Sequence, residues 1–146
     1  MGLECSHCHI NPDEYADAGH VLQDDTPGMA EVVFGPLSTR NGELDVTYDV
    51  NSLTCGNSYC HGNFEFSKEE SSNQFAYAED FIRGNNVAVI WNEVGTGQAD
   101  CGTCHGLPPT GHISGDACNN CHGSVVDANL NIIDKTLHIN GEVDVF

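Results

Sequence analysis

The sequence is poor in basic residues, in methionine and in aromatic side chains, and it has no long apolar run. Its 146 residues contain four Lys and Arg against 22 Asp and Glu, a formal net charge of −18. This balance excludes binding to nucleic acid or to an anionic lipid surface, because both require a basic face. The longest apolar run, residues 87–91, is far below the roughly 18 residues that cross a bilayer, so we expect a protein that is not membrane-embedded.

Material for a protein-only core is also scarce. Hydrophobic residues make up 39% of the chain and aromatic residues 8%, while glycine occurs 16 times. A single domain of this length would bury too little apolar side chain with that composition. We therefore expect a group other than side chains to fill part of the interior.

Cysteine and histidine are abundant, with eight of each, and every cysteine belongs to a pair followed directly by a histidine. Three pairs have the spacing C-x-x-C-H and one has the wider spacing C-x4-C-H. Such spacing is typical of c-type haem attachment, in which two thiols form thioethers to the porphyrin and the adjacent histidine ligates the iron. The sequence predicts four covalently bound c-type haems, attached to Cys5, Cys8, Cys55, Cys60, Cys101, Cys104, Cys118 and Cys121, with proximal ligands His9, His61, His105 and His122.

Two other uses of paired cysteines explain the pattern less well. In zinc sites two Cys pairs usually converge on one ion, and nothing then requires a histidine after each pair. A four-disulfide scaffold would fit an exported acidic chain, but it leaves the four histidines unexplained.

The remaining histidines number one per motif: His7, His20, His112 and His138. The only methionines are Met1 and Met29, so His/Met ligation of all four irons is excluded by count. We predict that these four histidines are distal ligands and that every iron has two imidazoles. Such ligation leaves no position for a substrate and lowers the reduction potential, so we expect electron transfer rather than enzymatic catalysis.

His7 lies between the two cysteines of the first motif, too close to His9 to reach the far face of the same haem. It is predicted to ligate another haem, either within this chain or in another copy of it. A solvent-exposed histidine on the attachment loop is the alternative. The sequence alone does not pair the distal histidines with individual haems.

The chain is predicted to form a single domain, residues 1–146, in which 1–54 carry the first haem and a β-hairpin and 55–146 carry three haems. The expected fold is mostly irregular, organised around four stacked haems, with a few short strands and little helix. The hairpin is predicted from the alternation in 44–50, preceded by the apolar stretch 31–34 and a turn at 40–42. A further strand is predicted at 87–91 and a short helix over about 72–83.

Two expectations concern the second half of the chain. Only twelve residues, rich in Pro and Gly, separate His105 from Cys118, which favours close stacking of the third and fourth haems. The C-terminal stretch 142–146 is similar to 31–34 and is predicted to be a strand with an exposed edge that could pair with another chain.

The segment from Cys55 to Val145 resembles the multihaem c-type cytochromes of metal-reducing bacteria that carry C-x4-C-H followed by C-x-x-C-H. The residues that carry the resemblance include the motif at 55–62, Trp91, the motif and Pro pair at 101–109, His112 and the stretch 138–145. The resemblance implies an exported, low-potential electron-transfer protein that passes electrons to other redox proteins or extracellular acceptors. In plan, the chain is also similar to small cytochromes that polymerise into extracellular nanowires.

The leading hypothesis is therefore the subunit of an extracellular conductive filament, a homo-polymer in which His7 or His20 ligates a haem of the next copy. A monomeric electron shuttle in the periplasm or at the cell surface is the alternative, and a haem reductase is a third. Attachment of c-type haem takes place outside the cytoplasm, so we expect export, although residues 1–10 contain no export signal.

Overall fold

The computed structural model describes residues 4–8, 11–14, 17 and 31–146. Regular structure in these residues is confined to short pieces, as the sequence predicts. Helices α1 and α2 span Pro36–Thr39 and Asn119–His122, and 3-10 turns span Cys5–His7, Tyr59–His61 and Gln74–Ala76. The five strands are β1 Thr47–Asp49, β2 Thr54–Gly56, β3 Glu65–Ser67, β4 Phe81–Arg83 and β5 Val89–Ile90.

The strands form two small antiparallel sheets, one with the order β1-β2-β5 and one of β3 and β4. In the first, Tyr48 pairs with Cys55 and Cys55 also pairs with Val89, so the first cysteine of the widened motif lies on the central strand. In the second, Phe66 pairs with Ile82. Cys55 and Ile82 are the two buried hydrophobic residues in the described part of the chain.

The strand predicted in 44–50 exists, but the predicted hairpin that would pair it with residues 31–34 across the turn at 40–42 does not. β1 lies within the alternating stretch 44–50 and pairs forward with β2, instead of back with residues 31–34. Helix α1 lies between residues 31–34 and β1. Pro36 begins this helix, because the fixed φ of proline suits the first helical position, and Arg40 ends it in the left-handed conformation with φ 47°. The turn at residues 40–42 therefore ends a helix and does not join two strands.

The predicted helix over 72–83 is wrong. This segment contains the 3-10 turn Gln74–Ala76 and strand β4, because its backbone groups bond to the loop at 110–113. Ala76 O accepts from Ile113 N at 2.9 Å, and Gly111 O accepts from Ala78 N at 2.8 Å. Tertiary hydrogen bonds therefore replace the i to i−4 ladder that the local pattern favoured.

Two further strand predictions have different outcomes. The stretch 87–91 contains β5, which is shorter than expected. No strand forms in 142–146; instead Phe146 N donates to Cys121 O at 2.9 Å, so this stretch lies against the fourth motif and is not a free edge. No helix in the described ranges is long and apolar enough to cross a membrane.

Candidate haem-binding site

The first and second motifs both contact α1; in the second motif, Ser58 Oγ donates to Ser38 O at 3.5 Å. His7 O, in the first motif, accepts hydrogen bonds from Gly35 N at 2.9 Å and from Ser38 Oγ at 2.7 Å. The Ser38 side chain is fully buried, and a Cβ on Gly35 would crowd Ser6 O at 2.7 Å. The start of α1 is therefore fitted closely against the backbone of the first motif.

The second and third motifs are joined by residues 84–87, which we call the strap. Val87 N donates to His61 O at 3.0 Å and Asn86 N donates to Gly62 O at 3.1 Å, whereas Asn85 N donates to Cys104 O at 2.9 Å. The Asn85 amide also donates to two carbonyls in the third motif, those of Gly102 at 3.2 Å and Thr103 at 2.8 Å. Five hydrogen bonds therefore tie two motifs that lie 40 residues apart to one short segment.

Gly62 marks the closest approach of these two motifs. It directly follows His61, is buried, and has φ +85°, a left-handed conformation that suits glycine. A Cβ at this position would overlap Cys104 O, so the backbones of the two motifs meet where one of them has no side chain.

The seven cysteines whose side chains are described are all free thiols, with no disulfide among them. Burial raises the pKa of the Cys8, Cys55, Cys60 and Cys104 thiols, and the electrostatic influence of Cys8 on Cys55 and Cys60, and of Cys104 on Cys60, raises the pKa of these two further. Thiols of the first three motifs therefore lie close enough to one another to interact electrostatically. In the described residues no three potential ligands converge as a metal centre of His, Cys, Asp and Glu would require.

Three histidines have their Nδ1 atoms bonded to backbone carbonyls. His105 Nδ1 lies 2.9 Å from Gly106 O, His112 Nδ1 lies 2.8 Å from Ile113 O, and His122 Nδ1 lies 2.7 Å from Asp144 O. A carbonyl only accepts, so Nδ1 must carry the proton in each ring and the Nε2 lone pair is left for a metal. Histidines that ligate metals are usually oriented by a carbonyl or carboxylate in this way.

His61 and His138 are in a different environment. The Nδ1 atom of each is buried and has no hydrogen-bond partner. Burial lowers the pKa of both imidazoles, and the charge of His105 lowers that of His138 further. Both rings are therefore neutral at neutral pH, which is the protonation state that a ligand to iron requires.

His138 shares a surface cleft with His7. The cleft has a volume of about 330 Å³ and is also lined by Glu4, Leu37 and Lys135. The structure thus brings together two of the four predicted distal histidines, which are separated by 131 positions in the sequence.

The third predicted distal ligand, His112, lies close to the proximal His122. Their ring centroids are 6.4 Å apart and the planes are inclined by 43°. At the third motif, the Phe64 ring lies 6.3 Å from His105 and is stacked on Phe66 at 5.0 Å. His9, His20 and the side chain of Cys5 fall outside the described residues.

These side chains fit covalent c-type haem. The thiols are free, the ligand rings are either neutral or hydrogen-bonded in the required tautomer, and the described residues bury only two apolar side chains. Large apolar groups that remain exposed include Phe75, Ile113 and Ile133, suited to the face of a macrocycle. The cysteines and proximal histidines would attach the haems, and the groups would supply one-electron redox chemistry.

Three residues contribute to this site without being predicted from the sequence: Ser38, Asn85 and Asn86. Their role is to hold the motif backbones, and it depends on hydrogen bonds between distant segments that no local spacing reveals. The run Gly84-Asn85-Asn86 directly follows the predicted helix over 72–83 and is typical of a turn, but it does not indicate which carbonyls its amides reach.

A match to a known family supports the assignment. Residues 54–105, which hold the second and third motifs, match the family described as the Geobacter CxxxxCH...CXXCH motif. A comparison with curated proteins and with solved structures finds no match. The matched region places the Cys55 and Cys101 motifs in the order and spacing of that family. Residues 54–105 are accordingly similar to the Geobacter CxxxxCH...CXXCH motif family, and this similarity supports a c-type cytochrome with more than one haem.

Proposed function

We propose that the chain is a tetrahaem cytochrome that carries electrons at low potential, with two histidines on every iron. The observation that carries the proposal is the state of the histidines. Apart from His7, the structure describes five histidines. In each of them Nδ1 donates to a carbonyl or the ring is buried and neutral. A surface histidine without a function would not require either arrangement.

Negative charge supports the low potential. The chain has a formal net charge of −18, and carboxylates stabilise ferric iron more than ferrous iron. Imidazole ligation acts in the same direction, since methionine as an axial ligand raises the potential. Hydrogen bonds from Nδ1 to carbonyls, as in His105 and His122, make the imidazole a stronger donor to iron.

Contacts between the motifs support a role in carrying electrons between redox centres. α1 is hydrogen-bonded to both the first and the second motif, and the strap is hydrogen-bonded to both the second and the third. The loop at 109–113 follows the third motif and brings His112 to the fourth. Each motif is thus fixed to the next one by hydrogen bonds or by ring proximity, an arrangement that keeps successive attachment sites adjacent.

The test of this function is a spectrum combined with a redox titration of the purified holoprotein. We expect an entirely low-spin, six-coordinate spectrum, no binding of carbon monoxide by the reduced protein, and midpoint potentials well below those of His/Met cytochromes. A high-spin component that binds carbon monoxide in the wild type would instead favour a haem reductase, the enzymatic alternative.

We further propose that the chain is the repeating subunit of an extracellular filament, with His7 or His20 as the ligand that one copy gives to the next. His7 supports this proposal because its backbone is fixed by Gly35 and Ser38 while its ring lines an open surface cleft. Strand pairing through residues 142–146 does not contribute, because no strand forms there. Ligation between copies is then the contact that overcomes the repulsion between anionic subunits.

Imaging of secreted material from His7→Ala and His20→Ala strains tests assembly. Because both histidines are proposed ligands, we expect each variant to gain a high-spin haem, but only one of the two variants to lose filaments. Ser6→Ala is a matched control for His7→Ala, since Ser6 is an exposed neighbour on the same turn. Intact filaments with unchanged spectra in both histidine variants contradict the proposal. A wild-type particle that elutes as a monomer instead favours the periplasmic or cell-surface shuttle.

A further inference from the structure

The pairing of axial ligands can be inferred for one haem. The His112 and His122 ring centroids are 6.4 Å apart. Two imidazoles on opposite sides of one metal ion have centroids about 6 Å apart, because each bond from metal to nitrogen is about 2 Å long. The observed separation of the two rings matches this spacing.

Hydrogen bonds orient both rings for this role. The Nδ1 atom of His112 donates to Ile113 O at 2.8 Å, and that of His122 donates to Asp144 O at 2.7 Å. Both rings therefore present Nε2, the free lone pair, away from their backbone anchors. A chance contact between two histidines would not need matching tautomers.

The loop that carries His112 is fixed by hydrogen bonds to the segment 76–81. Gly111 O accepts from Ala78 N at 2.8 Å and Ile113 N donates to Ala76 O at 2.9 Å. Gly111 is buried with φ +83°, and a Cβ there would overlap Phe81 O. His112 is thus held between two residues whose backbone is bonded to the segment 76–81.

The segment that carries the His122 anchor is fixed as well. Two residues beyond Asp144, Phe146 N donates to Cys121 O at 2.9 Å, and the Phe146 ring lies 6.3 Å from Phe75. The Asn140 amide donates to Asp144 Oδ2 at 2.9 Å. The Asp144 carbonyl is therefore positioned from both sides, and the His122 ring with it.

We propose that His112 and His122 ligate the same iron, that of the haem attached to Cys118 and Cys121, and that the Ile113 and Asp144 carbonyls are positioning groups for the two rings. The pairing rests on the proposed ligation of every iron by two histidines. It assigns His112 to the fourth motif, which begins six residues after it, and not to the third, which ends at His105 seven residues before it.

The first test is the variant His112→Ala in the full chain. We expect an unchanged number of attached haems, one haem equivalent converted to a high-spin form that binds carbon monoxide, and recovery of the low-spin spectrum with added imidazole. Ile113→Ala is the matched control: it keeps the backbone carbonyl, and we expect its spectrum to remain low-spin. A His112→Ala protein whose irons all stay six-coordinate without imidazole overturns the proposal.

The second test identifies which haem loses its ligand. The variant Cys118→Ala/Cys121→Ala lacks the attachment for the fourth haem, so adding His112→Ala to it should produce no further high-spin haem. A high-spin equivalent that appears only on adding His112→Ala would mean that His112 serves another motif, which overturns the pairing.

Nuclear magnetic resonance on the intact oxidised holoprotein gives the same answer without removing a haem. We expect the hyperfine-shifted ring protons of His112 and His122 to show nuclear Overhauser contacts to the same haem. Contacts to two different haems overturn the pairing. Failure of the proposed function is distinguishable, because it would appear as fewer than four attached haems or as high-spin iron in the wild type.

Discussion

The close approach of the second and third motifs at Gly62 makes a sharp prediction for the variant Gly62→Ala. Gly95 is a matched control, because its φ is also +85° but a Cβ there would meet nothing within 4 Å. Both substitutions place alanine in the left-handed conformation, at a cost of about 1 to 2 kcal/mol. Loss of backbone freedom in the unfolded chain offsets about 0.4 to 1 kcal/mol of that cost.

Only Gly62→Ala must also separate two backbones. Its Cβ would overlap Cys104 O, which is a main-chain atom and cannot turn away as a side chain would. Separation breaks the bonds from Asn85 N to Cys104 O and from Asn86 N to Gly62 O, 2.9 and 3.1 Å long. At about 1 kcal/mol for each bond, Gly62→Ala should be less stable than Gly95→Ala by about 2 kcal/mol.

Differential scanning calorimetry of the holoproteins measures this difference. For a chain of this length about 2 kcal/mol corresponds to a Tm lower by about 4 to 8 °C than that of Gly95→Ala. Equal Tm values for the two variants would refute the close approach of the motifs, because strain at positive φ would then explain both.

Two further predictions concern stability. Ser38→Ala removes the buried hydroxyl that donates to His7 O and should lower Tm by about 2 to 4 °C. Ser124→Ala, at an exposed position, should leave Tm unchanged, and equal effects of the two substitutions would contradict the role of Ser38. Hydrogen bonds from Asn131 lower the pKa of Asp127 below its ordinary value of 3.8. The ionised Asp127 carboxylate therefore stabilises the fold above pH 3.8, and this stabilisation is lost as the pH falls through the folded-state pKa. The Tm difference between wild type and Asp127→Asn should therefore be constant near neutral pH and shrink in acid, and a difference that persists in acid would contradict the assignment.

The attachment chemistry could be predicted from the sequence because it is local. A cysteine pair and its histidine lie within seven residues even in the widest motif, so their spacing alone indicates the ligand. The scarcity of regular structure was also predictable, since the composition offered little apolar material for helices or sheets. The strand predicted in the alternating stretch 44–50 was confirmed as β1, because alternation of polar and apolar residues is a local pattern.

The partners of these local pieces could not be predicted. β1 pairs with the strand of Cys55, which has no alternation of its own, and the segment 74–83 exchanges its hydrogen bonds with the loop at 110–113. The strap acts through Asn85, whose three bonds reach the third motif nearly 20 residues away. Contacts of this kind satisfy backbone groups across the chain and leave no periodicity in the sequence. The proximity of the His112 and His122 rings likewise has no signal in the sequence.

The mass of the intact, denatured protein directly tests the covalent attachment of four haems, because thioether bonds survive unfolding. The polypeptide has a mass of 15.7 kDa, and its eight cysteines form four pairs. If all four motifs carry haem, we expect one species whose mass is that of the polypeptide plus four haems. None of its cysteines should then react with an alkylating reagent. A mass with fewer than four haems, or with cysteines that react after unfolding, would contradict it.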